Sequence, residues 1–157
     1  MNDILKDEQF LPAALSLIAG AKKTIDISTF KVEITSKRRG LRLKQFFDIL
    51  VTKANNGADV RVLMNKRDNR GHVPESNAYA LRFLKSSKVK LRYLPDDRVC
   101  HAKLLIVDDE KAICGSHNLS VKSCHNNFEV SCLLNEESLV MLLAKAYQEA
   151  WGTGKEA

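Results

Sequence analysis

The order of apolar patterns along the chain predicts an α/β fold: a mixed, largely parallel β-sheet flanked by helices on both faces. Two observations predict it. In the first half, segments with helical apolar spacing alternate with short β-branched segments, the pattern of strand–helix–strand units. In the second half, two apolar runs are separated only by Asp108-Asp109-Glu110-Lys111, the pattern of a β-hairpin. The 157 residues are 45% hydrophobic and 28% charged, enough to bury one core, so a single domain over residues 1–157 is expected.

Taken in order, residues 7–22 place Phe10, Leu11, Ala14, Leu15 and Ile18 at helical spacing, with Pro12 in the first turn and Gly20 near the end. Thr24 to Lys31 alternates and reads as the first strand. A basic loop follows, then a helix over 41–55 with Leu43, Phe46, Phe47 and Leu50 on one face, stopped at Asn56-Gly57. Asp59 to Lys66 reads as a strand, Glu75 to Ser87 as a helix and Val89 to Leu94 as a strand. After the hairpin, Asn127 to Leu134 reads as a strand whose apolar face carries Phe128, Val130 and Cys132. Glu136 to Trp151 closes the chain as a helix with Leu139, Leu142, Leu143 and Tyr147 inward, and the tail from Gly152 is expected to fray.

Net charge is +6 and the pI is about 9.2, a balance that favours a polyanionic partner. Cys100, Cys114, Cys124 and Cys132 have no paired metal-ligand spacing, so all four are read as reduced thiols, in keeping with a reducing, cytoplasmic location. No apolar run reaches the ~20 residues that span a bilayer. Phe10 to Ala21 is apolar and ends in small residues, but its acidic flank (Asp3, Asp7, Glu8) argues for a helix of the domain over a secretory signal.

Chemistry concentrates between His101 and Asn118. His101, Lys103, Asp108, Gly115, Ser116 and Asn118 fall on H-x-K-x4-D-x6-G-S-x-N. On a strand, residues two apart share a face, so His101 and Lys103 point the same way. Neutral imidazole is a nucleophile, and an ammonium beside it would steady the non-bridging oxygens of a phosphodiester. Gly115 would let backbone approach a phosphate, with Ser116 and Asn118 adding donors. A lone His-x-Lys is more often an ordinary strand face. Six fixed positions together are not.

This pattern resembles the HKD signature of the phospholipase D superfamily, and the resemblance covers nearly the whole chain. It implies an α-β-α sandwich and metal-independent phosphodiester chemistry with no cofactor. Because attack at phosphorus is in-line, the nucleophile cannot also protonate the leaving oxygen, and a second acid is needed opposite. His72, His117 and His125, the other histidines, begin no second motif. A two-fold homodimer would bring two motifs together, as small single-motif nucleases of the superfamily do. The resemblance then implies that His101 of one subunit forms a phosphohistidine while its counterpart protonates the leaving group. Lys103, Ser116 and Asn118 would hold the phosphoryl oxygens, and Asp108 would support the geometry. Glu129, in Asn127-x-Glu129, would orient the histidine. His117 and His125 are read as packing or surface residues.

Three substrate classes compete. A nuclease would use the basic stretches carrying Lys37, Arg38, Arg39 and Lys66, Arg67, Arg70 to hold a nucleic-acid backbone. A phospholipase D or phosphatidyltransferase would use them on a lipid headgroup. A cleavage subunit of a larger restriction or repair assembly would take its specificity from a partner. The expected reading is an endonuclease on DNA or RNA, with the phospholipid enzyme as the alternative.

Overall fold

A computed structural model describes residues 2–35, 37–65, 75–95 and 97–157. The first strand, β1 (Asp3–Lys6), leads through a 3-10 turn into α1 (Phe10–Gly20). Then follow β2 (Thr24–Thr29), α2 (Leu41–Asn55), β3 (Asp59–Met64), α3 (Glu75–Lys85) and β4 (Lys90–Tyr93). The second half holds β5 (Lys103–Val107), β6 (Lys111–Gly115), the short α4 (Val121–His125), β7 (Val130–Leu134), α5 (Glu137–Thr153) and β8 (Lys155–Glu156).

The strands form one eight-stranded sheet in the order β1-β7-β6-β5-β2-β3-β4-β8. The α/β class and the helices on both faces agree with the sequence. The sheet is less parallel than expected: only β2–β3 and β3–β4 run parallel, and the other neighbours are antiparallel. The reason lies in the connections. Parallel neighbours need a crossover, and only α2 and α3 supply one between adjacent strands. The β5–β6 link is a tight turn in which Asp108 and Asp109 both take φ +56°. Aspartate tolerates that left-handed conformation, and Glu110 N donates to Val107 O at 3.0 Å to close the turn.

One face of the sheet carries α1, α2 and α3 over a core that includes Ile25, Ile27, Leu43, Phe46, Phe47 and Val62. The other carries α5, whose Val140, Tyr147 and Trp151 pack on Leu63, Ile106 and Ala112. Leu139 and Leu142 were expected inward but are 37% and 65% exposed, because the helix seats the 140/147/151 phase instead. Beneath that helix Arg61 on β3 holds Asp26, its register partner on β2, through two contacts at 2.5 and 2.6 Å, and its guanidinium lies over Tyr147 and Trp151. No described helix is long and apolar enough to cross a membrane.

Both chain ends differ from expectation. Residues 3–6 form a sheet edge on β7, and the tail does not fray: α5 runs to Thr153, and Lys155 pairs with Tyr93. Their short polar sequences, DILK and KE, have no apolar alternation of their own and pair because a finished sheet offers them an edge.

Candidate active site

The parallel strands end together, and the motif gathers at that end. Ser28 on β2 pairs with Leu104 on β5, and Lys103 pairs with Gly115 on β6. Gly115 in turn pairs with Ser131 on β7. His101 therefore sits just before β5, Ser116 just after β6 and Glu129 just before β7, all at one rim.

His101 is exposed, with its ring 5.3 Å from Phe30, the residue just after β2. Lys103 folds back on it: Nζ lies 3.1 Å from His101 Nδ1 and donates to His101 O at 2.5 Å. The ammonium also lies 5.8 Å from the Phe30 ring centroid. Burial pulls the Lys103 pKa below the ordinary lysine value, offset in part by the Glu129 carboxylate. The sequence thus placed the imidazole and the ammonium together correctly. An ammonium can only donate, so Nδ1 accepts, and a neutral His101 in this arrangement carries its proton on Nε2.

Glu129 does something other than orient His101. Its carboxylate accepts from Ser116 Oγ, from Ser123 Oγ at 2.8 Å and from Asn127 Nδ2 at 2.9 Å. It is buried at 8% exposure, although the sequence put the apolar face of that strand on its neighbours. Phe128 on the expected apolar face is 78% exposed. The polar phase points inward because it meets the site's hydroxyls. Burial alone would raise the Glu129 carboxyl, but its three donors outweigh burial and hold it below the usual range.

Ser116 and Gly115 also depart from expectation. The Ser116 hydroxyl gives its hydrogen to Glu129 and accepts from Val130 N at 3.1 Å, so that hydrogen is not free for a phosphate. A Cβ on Gly115 would collide with Ser131 Cα and Oγ. Glycine is needed there because strand β7, rather than a phosphate, comes close. Asn118 anchors the loop: Oδ1 accepts from Lys31 N at 3.1 Å, and its N–H donates to Ser123 Oγ at 2.9 Å.

Asp108 is remote from the chemistry. Five strand residues, about 17 Å at ~3.4 Å each, separate it from the Lys103 end. Its carboxylate accepts the backbone N–H groups of Lys22, Lys23 and Thr24 at 2.7–2.8 Å, clipping the entrance of β2 to the hairpin turn. Burial would raise its pKa, but those three donors lower it on balance. It supports geometry, as the sequence suggested, and touches no reacting atom.

Several supporting residues were not legible. Asp7, at φ +49°, accepts from Glu129 N through Oδ1 at 2.9 Å and returns a backbone bond to Glu129 O at 3.0 Å. Its carbonyl accepts from His117 Nε2 at 2.9 Å, while His117 Nδ1 lies 2.7 Å from Ser131 Oγ and its ring stacks on Phe10 at 4.5 Å. Burial lowers the His117 pKa, so this histidine is a neutral packing residue, as expected. Asn77 holds the β2 exit by accepting from Val32 N at 2.9 Å and donating to Phe30 O at 3.2 Å. None of these belongs to a short motif. Each acts across more than forty residues, beyond what local spacing reveals.

Lys37, Arg38 and Arg39 are exposed on the loop between β2 and α2. Lys66, Arg67, Arg70 and His72 lie outside the described residues.

An imidazole and an ammonium at the open rim of a mixed sheet, backed by a hydroxyl–carboxylate cluster, define a phosphodiester-handling α/β enzyme of the phospholipase D type. The chain belongs to that superfamily: the family model described as "Cardiolipin synthase, PLD-like domain" matches residues 14–151. Among curated relatives, cardiolipin synthase of Listeria welshimeri is 27% identical over 143 residues, 90% of this chain and 28% of that protein. The chain thus spans a little over a quarter of that relative. Among solved structures, the phospholipase D family member Nuc from Salmonella typhimurium has a TM-score of 0.81 at 20% identity, covering 100% of this chain and 99% of that one. Phosphatidylserine synthase of Haemophilus influenzae has a TM-score of 0.71 at 16% identity, covering 99% of this chain and 39% of that one.

Proposed function

We propose that the chain transfers a phosphoryl group from a phosphodiester through His101, in a site completed by a second copy of the motif. The observation that carries this is the exposed His101–Lys103 pair, 3.1 Å apart at the rim where β2, β5 and β6 meet. Attack needs an imidazole unprotonated at the attacking nitrogen, and departure needs one that still carries a proton. One His101 cannot be both in the same step. The acid would be a His101 carrying protons on both ring nitrogens. The nucleophile would come from the second motif, with its own lysine turned to the phosphoryl oxygens. A homodimer supplies it most simply.

Two substrates fit, each on a separate observation. A phospholipid, with phosphatidyl transfer or hydrolysis as the reaction, is favoured by the family description and by the name of the Listeria relative. A nucleic acid is favoured by the end-to-end match to Nuc, whose length this chain shares, and by the exposed Lys37, Arg38 and Arg39. The second reading accounts for the chain's basic charge, the first for its likeness to the Listeria relative.

The test is a parallel cleavage assay in a metal chelator. Single- and double-stranded DNA, RNA, phosphatidylglycerol vesicles and the small ester bis(4-nitrophenyl) phosphate are offered to the protein and to His101→Ala. Turnover of the small ester, lost in a folded His101→Ala protein, is expected. Retained turnover in that variant sinks the mechanism. Cleavage of a nucleic acid or of the lipid then decides the substrate.

A further inference from the structure

Cys114 on β6 and Cys132 on β7 are directly opposite each other in the antiparallel ladder. Two residues along, Ser116 N donates to Val130 O at 3.0 Å. Alternation along the ladder makes 114/132 a hydrogen-bonded pair as well, with Cα atoms about 5.5 Å apart. A disulfide bridges Cα separations of roughly 4.4–6.8 Å. Directly opposed residues leave a sheet on the same face, here the α5 face of Ile106 and Ala112.

That helix does not cover this row. Both cysteines are half-buried, Leu104 beside Cys114 is half-buried, and Ile4 on the far side of Cys132 is 63% exposed. Burial raises the Cys114 pKa and the neighbouring Cys132 adds to it, which puts the two sulfurs within electrostatic reach. The remaining thiols are placed differently. Cys100 is buried with Sγ 3.2 Å from Ser28 Oγ, and burial pushes Cys124 up to about 12. Both are buried, out of reach of a disulfide oxidant.

We propose that Cys114 and Cys132 form a reversible disulfide that couples the site to an oxidant. With a disulfide oxidant such as oxidised glutathione, one cysteine thiolate attacks the oxidant's S–S bond, forming a mixed disulfide and releasing one glutathione thiolate. The second cysteine thiolate attacks the protein sulfur of that mixed disulfide, forms the Cys114–Cys132 bond and releases the second glutathione thiolate. The two protons lost by the protein thiols end on the two glutathiones, and the two electrons reduce the oxidant.

Bridging draws the Cβ atoms from about 5.5 Å to ~3.8 Å. The residues that follow Cys114 are Gly115 and Ser116, and those that precede Cys132 carry Glu129. The Ser116–Glu129 and Ser116–Val130 hydrogen bonds span this gap and would be strained by it. Oxidation therefore lowers turnover. That second readout rests on the proposed active site, whereas the bridge itself does not.

The test treats the folded protein with excess oxidised glutathione, blocks remaining thiols, and maps cysteine linkages by peptide mass spectrometry without reduction. The expected result is an intramolecular Cys114–Cys132 peptide, lost on adding dithiothreitol and absent from Cys114→Ser and Cys132→Ser. Glutathione adducts without that link, bridges between molecules, or no modification would each overturn the proposal. In the same samples, turnover of bis(4-nitrophenyl) phosphate falls several-fold on oxidation and recovers with dithiothreitol, while Cys114→Ser is insensitive. A bridge that forms with no change in turnover would overturn the coupling to the site. Absence of turnover in reduced protein would instead fall on the proposed function.

Discussion

Lys103 beside His101 and Glu129 among the rim hydroxyls each make a prediction at the scale of single atoms. Burial lowers the Lys103 pKa, so its charge is lost at a pH below the ordinary lysine range of ~10.4. The alkaline limb of the pH–rate profile should lie below that range and move upward in Lys103→Arg, whose side chain does not titrate there. Glu129→Gln replaces a buried acceptor of three hydrogen bonds with an amide that must donate at one end. A loss of about 2 kcal/mol is expected, measured by urea unfolding. Because the Glu129 carboxyl is held low in the folded state, the wild-type advantage is present above the unfolded carboxylate pKa and fades as pH falls through the folded one. Gly115→Ala should cost roughly 1–3 kcal/mol from its collision with Ser131. His101 and Lys103 were legible in the sequence because chemistry fixes both their types and their spacing. The role of Glu129 was not, since a carboxylate two positions past an asparagine fits either a histidine or a ring of hydroxyls, and only the fold says which is in reach.

The same contrast holds for whole elements. Helices α1, α2 and α3 fell close to their expected ranges because their apolar faces repeat over two or more turns. The five-residue α4 carries too few turns to leave a pattern, yet it holds the site. Ser120 caps it by accepting from Ser123 N at 3.3 Å, and Ser123 joins Asn118 to Glu129. Ser120→Ala should therefore cost about 1 kcal/mol as a lost cap. Ser123→Ala should reduce turnover of the small ester as well, because it frees the Asn118 backbone; an effect on stability alone would deny Ser123 its positioning role. The hairpin turn was found in its correct place. Its clip on residues 22–24 was not, since three backbone donors more than eighty residues away leave no mark on the turn's own sequence.

At the scale of the molecule, a buried ion pair joins neighbouring strands β2 and β3 beneath α5. Asp26 is 2% exposed at its side chain and Arg61 13%. Burial raises the Asp26 carboxyl despite the guanidinium beside it, so the pair is held together by contacts rather than by spare electrostatic energy. Asp26→Asn leaves Arg61 buried without its counter-charge, and a loss of about 3–5 kcal/mol is expected in denaturant unfolding. The shared site makes a separate prediction for the assembly: the active protein should sediment as a dimer, and a fully active monomer would refute a site built from two motifs. The α/β class was visible in the sequence because alternation of elements is a global pattern. The balance of parallel and antiparallel neighbours was not, because strand direction is set by which edge each strand finds.

The pairing of β1 has a kinetic consequence. Strands β5, β6 and β7 close loops of a few to some fifteen residues, whereas β1 reaches from Asp3 to Leu133. Contacts between distant parts of a chain close slowly, so β1 is placed to dock after the hairpins have formed. Asp7, at its exit, bears on both Glu129 and His117. The rim would thus gain its final shape only as the first strand arrives. In refolding from urea, the fluorescence of Trp151, on the buried side of α5, should recover before turnover does. The delay between them would time the docking of seven residues at the start of the chain.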